Sequence, residues 1–381
     1  MKVEKVVNSS YEIIGYVVID DDFNEVKIIS QFTQFLALKN YSPNTLKSYT
    51  YDLKYYFDFL NNIGKYYNMV HPKDMIEFVD WLQSRPRIGE RRSQVIRSIN
   101  RASGLSGSSI NRILACVSSF YDWILLTLSD NSFGSPILTV DEQKTFSSDS
   151  YYHGLLSFTT KSNTIKSRFL KIKTPKRLPR PLNQKIVDTL IDSMNTSRDK
   201  AIIFLALQGG LRIGEILGIK FEDVSFVKRE IRIKQRPDNE NGSRAKGREE
   251  RTVQFYEKEA LSSLNDYILF ERPDSSSDLV FLSSKGKTRG RPLTYQGIYT
   301  VFSYHCKKNG LSIGKYGSGI SLHSFRHTHA TYLHENGMSL SSLQKRLGHA
   351  SIDSTQVYTK ISNHNLKEEY SRAINFKSTI S

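Results

Sequence analysis

Apolar residues recur at helical spacing over most of this chain and at strand spacing in only two regions. Behind Ser42-Pro43, a cap residue followed by a proline suited to a first helical turn, Leu46, Tyr49, Leu53, Tyr56 and Leu60 fall three and four residues apart, and Gly64 ends the run. A second helix is expected over roughly 72–83. A third is markedly basic, with Arg85, Arg87, Arg91, Arg92, Arg97 and Arg101. A fourth starts near Ser108, with Ile113, Val117, Phe120 and Ile124 on its apolar stripe. Together they describe a helical module with a basic face over 27–128. Gly and Ser at 103–109 permit a close backbone approach, which suits a phosphate backbone. Ahead of the module, YEIIGYVVIDDDFNEV reads as a strand ending in an acidic turn, so residues 1–26 are expected to form a small β-hairpin or arm.

The second half opens near Pro181. LNQKIVDTLIDSM is an amphipathic helix, RDKAIIFLALQ a buried one closed by Gly209-Gly210, and LRIGEILGI a further helical run with Arg212 and Glu215 three apart. REIRIKQ and RTVQF alternate as strands around a long polar turn, RPDNENGSRAKGREE, which carries Lys246. Helices are expected again at about 257–271, 295–309, 322–335, 340–347 and 354–360. Between the halves, 129–180 is weakly periodic and ends in KSRFLKIKTPKRLPR, a basic, proline-broken interdomain linker. The fold class is therefore mainly α with a small antiparallel β-sheet: a helical domain, a linker, and an α+β domain over 181–381.

A chain of 381 residues has ample length for two or three cores. Its net charge of +16 changes the picture more, because an excess of that size is the footprint of a polyanionic partner such as nucleic acid. A membrane is the competing anion. The longest apolar run, AIIFLAL at 201–207, is too short to span one, and VEKVVNSSYE lacks the apolar segment of a signal peptide. Cys116 and Cys306 stand far apart and in no metal spacing, as expected of reduced core thiols in a cytoplasmic protein.

The chemistry is concentrated between Leu322 and Thr359, in LHSFRHTHATYLHENGMSLSSLQKRLGHASIDSTQVYT. His323 and Arg326 are three apart on an expected helix. His349 follows the glycine that ends the next helix, and Tyr358 comes nine residues later. Guanidinium suits a phosphate, imidazole moves protons near neutral pH, and a phenol can form a covalent phosphoester. None of these residues is informative alone, in a chain with 21 tyrosines. As a set they point to attack on a phosphodiester. HSFRH also spaces two histidines as zinc helices do, but the Glu of that motif is missing and Arg326 between them repels a cation. SSKGKTRG and SGLSGSS lack the order of a nucleotide phosphate loop. No metal and no cofactor is expected.

GGLRIGEIL, AKGREERTVQF, HSFRHTHAT and LGHASIDSTQVYT resemble the tyrosine recombinases, or phage-type integrases, and the resemblance runs from about residue 28 to about 370. The opening arm and GRPLTYQGIYTVF are most similar to transposase-like members carried by transposons. The resemblance implies a helical core DNA-binding domain followed by a catalytic domain. Residue by residue, it implies that Arg212 is the first catalytic arginine, Lys246 the hairpin lysine, His323 and Arg326 the H-x-x-R pair, His349 the third basic position and Tyr358 the nucleophile. Glu215 matches the acidic position that accompanies the first arginine. The hairpin departs from the family pattern: its tip is long, Arg244 and Arg248 flank Lys246, and Gln254 stands where proline is usual.

The expected activity is site-specific strand cleavage and rejoining through a 3′-phosphotyrosine, needing neither metal nor ATP. The expected partners are double-stranded DNA, three further copies of the chain on two duplexes, and accessory DNA-bending or directionality factors. SNHNLKEEYSRAINF after the tyrosine is an amphipathic helix suited to docking either on a neighbour or on its own domain. Two other readings compete: a type IB topoisomerase, which reseals the same strand as a monomer, and a DNA-binding regulator without catalysis. The separate helical module argues against the first, and the filled set of catalytic positions against the second.

Overall fold

The computed structural model describes residues 1–7, 9, 13–84, 104–127, 136, 139–143, 164–168, 170–174, 181–236, 239–243, 250–314 and 319–359. They fall into two compact units, Met1–Pro175 and Lys176–Ser381. The basic helix expected at Arg85–Arg101, the hairpin tip with Lys246, and the tail helix after Tyr358 lie outside the described residues. As expected, the architecture is mainly helical with small antiparallel sheets.

The first unit comprises β1 (Lys2–Val7), β2 (Ile13–Ile19), α1 (Lys27–Leu38), α2 (Pro43–Asn62), α3 (Pro72–Ser84), α4 (Gly107–Thr127), β3 (Thr139–Gln143) and β4 (Thr164–Arg168). β1 pairs antiparallel with β2, and β3 with β4. The second pair falls inside the stretch expected to be a plain linker. At the start of α2 the Ser42 hydroxyl accepts from Thr45 N–H at 3.2 Å and Pro43 occupies the first turn, the capping arrangement legible in the sequence.

The apolar stripes of α1 to α4 converge on a core rich in rings, with Phe32, Tyr56, Phe78, Phe120 and Tyr121 fully buried. Two of its buried phenols are satisfied in a chain: Tyr56 bonds to Tyr121, whose hydroxyl donates to the Tyr67 carbonyl at 2.7 Å. Val18 of β2 is buried in the same core, so the opening hairpin is part of this unit's packing. Gly104 and Gly107 do approach backbone and side chains closely, but within the unit. A Cβ on Gly104 would lie 1.7 Å from the Gln83 carbonyl oxygen, and one on Gly107 2.7 Å from Thr174 Cγ2. The glycines expected to admit a phosphate backbone are occupied in folding.

The second unit comprises α5 (Gln184–Ser193), α6 (Ser197–Gln208), α7 (Ile213–Ile216), β5 (Val224–Ser225), β6 (Glu230–Ile233), β7 (Arg251–Gln254), α8 (Glu259–Asp266), α9 (Tyr295–Lys308), α10 (Leu322–Glu335), α11 (Leu340–Leu347) and α12 (Asp353–Thr359). β5, β6 and β7 form one antiparallel sheet, with Ile231 opposite Val253. α6 is buried against α8 and α10, as its unbroken apolar run requires. Two expected helices are modified. LRIGEILGI forms only the short α7, and the 257–271 run is α helical to Asp266, then widens to a π turn over Tyr267–Glu271.

Among the described residues no helix is long and apolar enough to cross a membrane. Cys116 and Cys306 are both free and buried.

Asp52 on α2 is fully buried and paired with Arg112 of α4. Burial outweighs the pull of Arg112 and pushes its carboxyl up to about 7. An acid raised in this way binds more protons folded than unfolded. Its contribution is present below the ordinary carboxyl range of about 4 and is lost as pH rises through about 7. Both tryptophans, Trp81 and Trp123, belong to this unit and report its unfolding. Urea midpoints by tryptophan fluorescence are expected to fall between pH 5 and pH 8 in the native protein and to change much less in Asp52→Asn.

Candidate active site

The site grows from a turn. α6 ends at Gly209, and Gly210 follows with φ +64, where a Cβ would meet His329 Cδ2 of α10 at 2.5 Å. The turn delivers Arg212 to the N-cap of α7, so Arg212 and Glu215 are cap and third residue rather than neighbours on a long helix. The Glu215 carboxylate accepts from Arg212 N–H at 2.9 Å and from Arg212 Nη1 at 2.8 Å.

Glu215 is the centre of the charge arrangement. Its side chain is fully buried, and Arg251, at the start of β7, donates to both carboxylate oxygens at 3.2 and 2.8 Å. Arg326 of α10 lies 3.8 Å away. Burial works against the carboxylate, but hydrogen bonding and charge from Arg251, then the charges of Arg326 and Arg212, outweigh it and hold Glu215 below its ordinary range. Arg326, 1% exposed, is drawn down to about 9 by burial and by Arg212, so it stays charged at neutral pH.

The three guanidiniums also converge on the end of α11. Arg251 Nε donates to the Arg346 carbonyl at 3.0 Å, Arg326 Nη2 to that of Leu347 at 2.7 Å, and Arg212 to that of Gly348 at 3.3 Å. Carbonyls that a helix end leaves unpaired are thus each taken by a cation. Gly348 adopts φ +62, and a Cβ there would lie 2.6 Å from Arg251 Nη1. Its N–H donates to Lys345 O at 3.1 Å and that of His349 to Gln344 O at 3.1 Å, which fixes the turn carrying His349. The His349 ring bonds through Nδ1 to Thr355 Oγ1 of α12 at 2.9 Å. Burial, followed by Arg326 and Arg212, lowers it to about 4, so it is neutral.

Tyr358 is 2% exposed and packs on Ala330, Leu343 and Leu347. Burial raises its phenol, while Arg326 and Arg212 pull it the other way. Its hydroxyl bonds to His327 Nδ1 at 2.9 Å. His323 and Arg326, three apart on α10, do not share an environment: His323 is exposed and meets the His327 ring edge-on at 4.6 Å, while Arg326 is buried. The fold therefore gathers Arg212, Arg326, His349 and Tyr358 around one turn, with His323 at its rim. Lys246 is outside the described residues.

Two residues of the site do not stand out in the sequence. Arg251 begins a strand whose alternate residues, Val253 and Phe255, are core, and that period of two is the signal that it faces inward. His327 falls four residues after His323 on the same stripe, a spacing that first invites a metal reading. Among the described residues no group of three or more His, Cys, Asp or Glu is arranged to hold a metal ion.

Known proteins share this organisation. The phage integrase family model matches residues 180–365, and that of the phage integrase N-terminal SAM-like domain matches 29–126. The chain is 31% identical over 381 residues to transposase A from transposon Tn554 of Staphylococcus aureus, covering 99% of each. The chain belongs to the phage integrase family. It is a site-specific tyrosine recombinase, and the expectation drawn from its C-terminal motifs holds. Tyrosine recombinase XerD of Listeria innocua serovar 6a is 27% identical over 357 residues, covering 90% of this chain and 97% of that protein.

Solved structures agree in fold. The Tn1549 transposon integrase in complex with transposon right end DNA has a TM-score of 0.60 at 18% identity, covering 91% of this recombinase and 99% of that chain. XerH recombinase bound to palindromic difH substrate, a post-cleavage complex, has a TM-score of 0.58 at 19% identity, covering 90% and 84%.

Replacing Glu215 by Gln leaves three guanidiniums facing a neutral amide. The second unit is expected to lose about 3–5 kcal/mol, the cost of breaking a buried ion pair from one side. Calorimetry of the full chain measures this, and adding Arg251→Gln to Glu215→Gln is expected to cost much less than the sum of the two single changes.

Proposed function

We propose that this recombinase cuts one DNA strand by attack of Tyr358 on a backbone phosphorus. The product is a 3′-phosphotyrosyl enzyme and a free 5′-hydroxyl, and a 5′-hydroxyl of a second duplex then reverses the step. The observation that carries the reading is the convergence of Arg212 and Arg326, both cationic and both held by Glu215, on the turn that also fixes His349, one helix away from Tyr358. Two guanidiniums grip the non-bridging oxygens and neutralise charge that builds in the transition state. They also favour the phenolate against the burial that opposes it.

If the Thr355 hydroxyl donates to His349 Nδ1, the neutral ring carries its proton on Nε2 and donates it to the phosphate. His323 at the rim is the proton acceptor assigned by the family resemblance, and Lys246 on the hairpin protonates the leaving 5′ oxygen. The phosphotyrosine conserves the energy of the broken bond, so the cycle uses no ATP. The arginines supply the charge that a divalent ion supplies in nucleases, so it uses no metal. The partner is double-stranded DNA at specific sites, as the charge of +16 suggests. Joining two duplexes with two cuts in each calls for a homotetramer on DNA, with accessory DNA-bending or directionality factors acting on that complex.

The test is covalent trapping. Native protein and Tyr358→Phe are incubated, with EDTA present, with duplex carrying the ends of the mobile element and a nick beside the cleavage position, then resolved on a denaturing gel. A protein–DNA adduct with the native protein alone is expected. An adduct with both proteins moves the nucleophile elsewhere, and an adduct that forms with a divalent cation in place of EDTA but not in EDTA overturns the metal-free mechanism. Binding to the same duplex is expected to weaken at least about a thousandfold between 50 and 200 mM salt, as several phosphate contacts require. A flat response by fluorescence anisotropy is incompatible with charge-driven binding.

A further inference from the structure

The hydrogen-bond partner of the nucleophile is not the histidine that the motif singles out. The Tyr358 hydroxyl lies 2.9 Å from His327 Nδ1, and the two rings are tilted with centroids 5.9 Å apart. His323, one turn earlier on α10, is exposed, and its ring stands edge-on to that of His327 at 4.6 Å. The order from solvent inward is thus His323, His327, Tyr358. A proton leaving the buried phenol meets His327 first. We propose that His327, in place of the His323 that the family resemblance implies, is a catalytic residue of the strand-transfer reaction, the group that receives the Tyr358 proton during cleavage and returns it during rejoining. The proposal rests on the reading of Tyr358 as nucleophile.

The step balances without a co-reactant. The phenol O–H bond breaks and the proton goes to His327 Nδ1, giving an imidazolium. The phenolate oxygen forms a bond to phosphorus as the bond from phosphorus to the 5′ oxygen breaks, and that oxygen leaves with a proton from Lys246. In rejoining, a 5′-hydroxyl attacks the phosphotyrosine and gives its proton back to the Lys246 amine, the bond from phosphorus to the tyrosine oxygen breaks, and His327 returns its proton to the departing phenolate.

The surroundings make this acceptor dependent on substrate. The charged and titratable groups around the His327 ring are His323 and Arg326 of its own helix, His349 from the turn after α11, and Tyr358 of α12. Burial, then His323, Arg326 and His349, lower the ring to about 3, so it is neutral in the free protein, and in the tautomer protonated on Nε2 its Nδ1 lone pair accepts from the phenol. So weak a base orients the hydroxyl but does not take its proton. A DNA phosphate held by Arg212 and Arg326 brings negative charge beside the same ring, offsets those cations and raises its basicity. Proton transfer then becomes favourable only with DNA in place, and the buried phenol stays protonated otherwise.

The test uses the full chain and the nicked duplex described above, with single-turnover adduct formation followed from pH 5.5 to 9. His327→Asn keeps a polar group near the Nδ1 position but accepts no proton at working pH. Adduct formation is expected to slow about a hundredfold or more, in the range of general-base removal. Thermal midpoint and DNA binding report folding, and His327→Gln serves as a second variant. The deciding readout is a fluorinated tyrosine at position 358, whose phenol ionises more readily. It is expected to restore at least about a tenfold rate in His327→Asn and to change the native rate little, because its own ionisation replaces the acceptor.

Three outcomes overturn the assignment. His327→Asn reacting as fast as the native protein makes the contact irrelevant to chemistry. Faster reaction makes it a restraint on the nucleophile. A slow, folded, DNA-binding variant without rescue makes it structural. If the native protein forms no Tyr358-dependent adduct, the parent reading falls and this one with it, an outcome distinct from all three.

Discussion

Three guanidiniums on three separate elements repel one another, and the buried carboxylate of Glu215 is what allows them to share one site. Arg212 precedes α7, Arg251 begins β7 and Arg326 lies on α10, so the same carboxylate joins the sheet to the helices that frame the chemistry. An isolated buried charge is costly, and so is an isolated buried cluster of cations. Here each cancels the other, and each cation also donates to a backbone carbonyl at the end of α11. Electrostatics, helix termination and the position of His349 are a single arrangement rather than three.

That arrangement determines what kind of catalyst this recombinase is. Its three arginines are held by Glu215 and by backbone carbonyls in the free protein, so under the proposed function a phosphate meets cations already fixed in position. The proposed nucleophile is handled in the opposite way. Tyr358 is buried among Ala330, Leu343 and Leu347, and burial raises its phenol, so the free protein holds it protonated. Under the proposed function, binding power and reactivity are thereby separated.

Much of this was legible in the residues because the signals were local. The Ser42-Pro43 cap, the stripe of α2 and the buried run of α6 each depend on a few neighbouring positions, and each formed as expected. The motif around His323, Arg326, His349 and Tyr358 was equally compact. What escaped was long-range. Arg251 acts through a carboxylate 36 residues earlier, and only the alternation with Val253 and Phe255 marks it as inward. LRIGEILGI reads as a longer helix, but Glu215 bonds back to the N–H of Arg212 and ties off the turn, leaving α7 short. His323 and Arg326 share a helical spacing yet differ in burial, because the depth of a helix face is set by what packs on it and not by the helix itself.

The end of α11 also has a meaning for how the protein varies. Three successive carbonyls, at 346, 347 and 348, are matched to three cations from elsewhere in the chain. Successive residues of a helix are rotated by about 100° around its axis. One inserted or deleted residue in that last turn therefore swings all three acceptors away from their arginines together and carries His349 off with them. This turn has a fixed register, which a substitution leaves in place and an insertion or deletion does not.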